Sequence, residues 1–132
     1  MANRKPRAKG PKSAGGNSMS PSRLLSASQE AVEGSMTDAA SLRAAADGQE
    51  AVVHLVAILT GKPEEFERVM EQGTRDLVAA AKEAGVRRFV LISALGVTEE
   101  TKDLVPYYSA KWDMEHTVME SGLEHVIFRP SF

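Results

Sequence analysis

Beyond residue 30 the chain alternates short apolar runs with longer stretches whose apolar residues recur every three or four positions. The run Ala51-Val52-Val53-His54-Leu55-Val56-Ala57-Ile58 is rich in β-branched residues and bounded by turn formers. It predicts a strand buried on both faces, as in a parallel sheet. Arg88–Ser93 and His125–Phe128 predict two further strands. Between the first two, Phe66, Val69, Met70, Gly73, Leu77, Ala80, Ala81 and Ala84 form one stripe at helical period. Pro63 with Glu64 and Glu65 suits a first helical turn, and Gly85 a stop. Such a helix spans roughly 31 Å, enough to return across a sheet and leave the two strands parallel. A second long helix is predicted from Pro106 to Ser121, ended by Gly122. Thr37-Asp38 offers a cap for a short one, Ala39 to Ala46, closed by Gly48. Strands alternating with helices through short joints predict an α/β fold, part of a doubly wound parallel sheet with both faces covered and right-handed crossovers.

Residues 1–30 break this pattern. They are rich in Lys, Arg, Ser, Gly and Pro, with Leu24-Leu25 as their one apolar pair. Too little apolar surface is available there to offset ordering entropy, so a disordered basic tail is expected before a folded region at residues 31–132. The net charge of −2 divides unevenly along the chain. The first thirty residues carry six bases (Arg4, Lys5, Arg7, Lys9, Lys12, Arg23) and the single acid Glu30, which leaves the remainder at −7. An acidic folded region is a poor surface for nucleic acid. The tail is basic and serine-rich like an organelle transit peptide but lacks its amphipathic face, so a cytoplasmic location is expected and an organelle is the alternative. No apolar run approaches a membrane span. The absence of cysteine removes disulfides, thiolate metal sites and a cysteine nucleophile.

Candidate chemistry gathers where parallel sheets bind ligands, beyond the carboxyl ends of their strands. Val56–Gly61, Ser93–Pro106 and Arg129–Phe132 fall there. The helix that follows the second segment carries Tyr107 and Lys111, four apart and therefore on one face. An ammonium in that place can lower a phenol's pKa and make it a usable acid or base. The competing reading packs Tyr107 and Tyr108 at a helix start and sends Lys111 to solvent. His54, His116 and His125 lack the spacing of a helical metal site, so no metal is expected. His54 reads as a hydrogen-bonded core residue, Trp112 as core, and Glu115, His116 and Glu120 as a solvated helix face.

Five segments in order carry a resemblance to a known family: Val52–Ala57, Gly73–Val78, Arg88–Ala94, Tyr107-x-x-x-Lys111 and Arg129-Pro130-Ser131. Together they resemble the extended and atypical short-chain dehydrogenase/reductases, nearest the NmrA-like and complex I subunit-like branch. The resemblance implies a Rossmann-type domain that binds NAD or NADP. It implies that Val56 and Ala57 line the dinucleotide, that Lys111 holds the nicotinamide ribose, and that Tyr107 is the acid/base. It places Arg129, Pro130 and Ser131 past the nicotinamide. Ser93 ends the strand that brings the family's substrate-binding hydroxyl, which in many members lies one or two places on, at Ala94 and Leu95 here.

The chain also departs from the family. Residues 1–30 hold Gly10, Gly15 and Gly16 but no strand–turn–helix pattern around them, so the phosphate cradle is missing. Glu33–Asp38 resembles the family's third strand, with Ser35 at the usual aspartate, and Met70 stands where many members carry asparagine. The sequence thus reads as a domain cut at both ends. The implied activity is oxidoreduction or epimerisation of a small carbonyl or sugar-like molecule. The alternatives are a non-catalytic NAD(P)-binding regulator or assembly subunit, or an inactive fragment. An exposed sheet edge would invite self-association.

Overall fold

The computed structural model describes residues 29–131. The expectation of a disordered tail falls outside them for residues 1–28. The order of elements is α1 (Ala39–Ala46), β1 (Ala51–His54), α2 (a continuous helix from Pro63 to Glu83), β2 (Arg88–Ile92), α3 (Pro106–Met119) and β3 (Glu124–Phe128). The strands form one parallel sheet in the order β1-β2-β3. Register pairs Ala51 with Arg88 and then Glu124, and Val53 with Val90 and then Val126.

Local chemistry explains the boundaries. Asp38 caps α1 by accepting from the amides of Ala40 and Ser41. Gly48, Gly85 and Gly122 take left-handed φ just past the three helices. Residues 33–38, likened above to a strand, form none and instead turn into α1. Within α2 the middle stretch Phe66–Gln72 is a π-helix, a feature the apolar stripe does not reveal. Its wider turn leaves Phe66 and Met70 buried together. Gly73 follows at once, and a Cβ there would meet Met36 O at 2.9 Å. Only glycine lets the helix approach the loop before α1 that closely.

The core lies on one face of the sheet. Phe89 and Leu91 of β2 pack with Phe66, Met70, Leu77 and Ala81 of α2 and with Ala110, Met114 and Val118 of α3. Successive right-handed crossovers that advance in one direction put their helices on the same side. Among the described residues the opposite face is therefore bare. Val53 is 59% exposed and Phe128 55%, with Leu55 and Val126 exposed beside them. This corrects two expectations. Among the described residues the first strand is not buried on both faces and ends at His54, and helices cover one face of the sheet rather than two.

Candidate functional site at the strand ends

Lys111 is the centre of the site. It is 2% exposed, and its Nζ donates to Ile92 O at 2.8 Å. Ile92 lies beyond the last residue of β2 that pairs with β1, so the side chain of α3 takes up a carbonyl at the frayed end of the sheet. The same ammonium stands 5.7 Å from the centroid of the Tyr107 ring. Burial depresses the Lys111 pKa, and Glu115 one turn later opposes that fall. The alternative that Lys111 points to solvent is thereby overturned.

Tyr107 does not have the lowered phenol that the spacing suggested. Burial, and then the neighbouring Tyr108, push it above its usual value. The ammonium lies over the ring and donates to Ile92 O, and no hydrogen bond joins it to the Tyr107 hydroxyl among the described residues. Tyr108, its ring 6.2 Å away, reaches the loop after β2, where a Cβ on Gly96 would lie 2.6 Å from its hydroxyl. Glycine at that loop position was the one available sign that a side chain would pass so close.

Ser93 follows Ile92 directly. Its amide donates to Phe128 O at 2.7 Å, and its buried hydroxyl has no partner among the described residues. An orphaned buried hydroxyl retains its full capacity for a ligand oxygen or amide. Ala57 packs partly against the core while Val56 is exposed at the end of β1. Pro130 is partly buried and Ser131 exposed. Arg129 turns back to α3, where Nη2 and Nε grip Glu115 at 2.6 and 3.0 Å. The structure thus brings Tyr107, Lys111 and Ser93 to the end of β2, places Val56 and Ala57 at the end of β1, and engages Arg129 with protein.

The sequence reading missed two groups. Glu115 is 1% exposed, so it is no part of a solvated helix face. The Arg129 fork that makes its burial tolerable lies fourteen residues away, beyond any helical spacing rule. His54 is the hydrogen-bonded core residue expected, with Nε2 2.9 Å from Thr74 Oγ1. Its role in the site was not foreseen: burial, and then the Lys111 charge, hold its pKa down to about 4. Trp112 is only partly buried and packs on His116. Among the described residues no group of His, Asp and Glu is arranged to hold a metal, and no helix is long and apolar enough to cross a membrane.

A nicotinamide dinucleotide fits one end of this arrangement. A buried lysine, a tyrosine beside it and an unpartnered serine hydroxyl supply donors suited to a ribose and a carboxamide or carbonyl oxygen. A cradle of helix N-terminal amides for the pyrophosphate is not found among the described residues.

Comparison with known proteins agrees with this geometry. The family described as NAD(P)H-binding matches residues 18–132. A protein named fmp-52, mitochondrial, from Neurospora crassa is 43% identical over 56 residues, which are 42% of this chain and 23% of that protein. A short-chain dehydrogenase/reductase superfamily protein from Agrobacterium tumefaciens, solved with bound NAD, superposes with a TM-score of 0.62 at 34% identity, over 73% of this chain and 35% of that one. The dTDP-glucose 4,6-dehydratase DesIV of Streptomyces venezuelae, solved with NAD, gives 0.55 at 26% identity, over 73% and 36%. The chain thus spans about a quarter of the first relative and about a third of each solved chain. A parallel sheet with its polar groups gathered at the strand ends, and a family match over nearly the whole chain, place this protein in the NAD(P)H-binding family of the short-chain dehydrogenase/reductase and epimerase/dehydratase superfamily.

Proposed function

We propose that the carboxyl ends of β1 and β2 bind the nicotinamide half of NAD or NADP, and that the whole protein oxidises, reduces or epimerises a small carbonyl or sugar-like substrate. The observation that carries this reading is the buried Lys111 at the end of β2, within reach of Tyr107 and one residue from the unpartnered Ser93 hydroxyl. The chemistry such a cofactor supplies is hydride exchange with the carbon that bears the substrate oxygen. Tyr107 would pass a proton to or from that oxygen, and Ser93 would orient it by a hydrogen bond. Lys111, moved from Ile92 O onto a ribose hydroxyl, would also favour the phenolate. Val56 and Ala57 would lie along the dinucleotide, with Arg129-Pro130-Ser131 beyond the nicotinamide.

One observation favours a second reading, a cofactor-binding regulator or assembly subunit without turnover. The Tyr107 phenol is raised rather than lowered, and the Lys111 ammonium is already engaged. Titration of the purified chain with NADH and NADPH, followed by cofactor fluorescence, tests both readings. Saturation at micromolar cofactor supports them, and no binding at millimolar cofactor overturns both for this chain. If binding is seen, Tyr107→Phe separates them, because turnover alone should fall, by about 100-fold or more for a lost acid/base group. For location, the two candidates are the cytoplasm and an organelle. The mitochondrial name of the Neurospora relative favours an organelle, and fractionation of a tagged full chain distinguishes the two.

A further inference from the structure

Two side chains one turn apart on α3 reach the ends of two neighbouring strands. Lys111 holds the end of β2 through Ile92 O, and Glu115 holds the residue after β3 through the Arg129 fork. Ile92 and Phe128 are register partners, and the Ser93 amide bridges to Phe128 O between the two attachments. The unpartnered Ser93 hydroxyl stands at this junction.

Fastening a strand end needs no charge. An apolar pair of the same volume would do so without the desolvation that a carboxylate at 1% exposure incurs. The charge therefore has some other consequence, and the ionised neighbour on the same helix face is Lys111. We infer that Glu115 is a positioning residue for the site at Tyr107 and Lys111: with Arg129 it clamps the segment leaving β3 onto α3, and it sets its carboxylate one turn from the buried Lys111 on the same helix face.

Among the described residues few groups face Lys111. From α3 they are Tyr107 and Glu115, from β1 His54, and from the end of β3 Arg129 behind Glu115. Among the described residues β2 contributes the Ile92 carbonyl. His54 is neutral above about pH 4 and Tyr107 is neutral at pH 7, so neither can balance the ammonium there. Among the described residues Glu115 is the anion that offsets the burial of Lys111.

The functional meaning of the clamp rests on the cofactor reading above, but its physical effect exists in the ligand-free chain. Side-chain NMR titration of Lys111 and amide exchange at Ser93 test it directly, in the wild type, in Glu115→Gln, and in the double variant Glu115→Gln with Arg129→Gln. The double variant removes both members of the Arg129–Glu115 pair, so no guanidinium is left without its carboxylate and it remains informative if the single variant unfolds. The expected result is a fall of about tenfold in the proton affinity of Lys111 in both variants. Ser93 amide exchange should also rise about tenfold in the double variant, with Val90 unchanged. If the double variant loses stability while Lys111 titrates as in the wild type, the pair is only a fastener and the inference is overturned. Unchanged exchange at Ser93 overturns the clamp. A wild type that fails to bind millimolar NADH defeats the cofactor reading and leaves both of these measurements intact.

Discussion

His54 shows how much one buried side chain sets. Its imidazole is held near pKa 4 in the folded chain, against about 6.5 when exposed to water. The unfolded chain therefore takes up a proton that the folded chain refuses between those values. Stability is full above about pH 6.5 and declines as pH falls toward 4, by about 3 kcal/mol at most from this group. Urea unfolding across that range should show the slope in the wild type and a flatter one in His54→Gln. Gly73 is a second case. Ala at that position must displace the Met36 backbone, and it should cost about 1–3 kcal/mol in the same assay. The equivalent change at the exposed Ala79 should stay within about 0.5 kcal/mol when Ser replaces it. At this scale the sequence showed which residue types could act, namely Tyr107, Lys111 and Ser93. It did not show their states. The Tyr107 phenol rises through burial and then the neighbouring Tyr108, and the Lys111 ammonium donates to Ile92 O; none of these is a property of the Tyr–Lys spacing.

Among the elements, the sheet has the most exposed consequence. Its bare face carries Val53, Val126 and Phe128, and among the described residues β1 is an edge strand. Apolar surface beside an open edge favours association between chains. Val53→Lys and Val126→Lys should each lower the weight-average mass in sedimentation velocity while changing stability by no more than about 0.5 kcal/mol. An unchanged mass would show that this face does not mediate association. The helices were the most legible elements: the Asp38 cap, Pro63 and Pro106 starts, and glycine stops all stand where local chemistry placed them. Strand β1 was misjudged because a continuous apolar run does not say which of its faces will find a partner. The π stretch of α2 was hidden because it depends on how Phe66 and Met70 meet the sheet, not on their spacing alone.

For the whole molecule, the decisive quantity is whether a third of a Rossmann-type chain can hold a dinucleotide. A ligand that binds only the folded state raises its stability with the logarithm of concentration beyond Kd. If the strand ends bind cofactor, thermal unfolding should shift upward with NADH by about 10 °C or more at 100 times Kd, where the linkage is worth about 2.7 kcal/mol. Adenosine alone should give less if the nicotinamide half carries the affinity. A flat response to NADH would place the cofactor outside this chain's ability.

The order of strands and helices, their parallel direction and the identity of the polar residues at the strand ends were determined by the sequence itself. These depend on periodicity, caps and turn residues, which act over a few positions. Tertiary structure alone decided which face of the sheet is covered, that Lys111 closes on Ile92 O, and that Glu115 is buried against Arg129. Burial and charge pairing between distant residues arise only when the chain brings them together, and the pKa values of the site follow from that meeting.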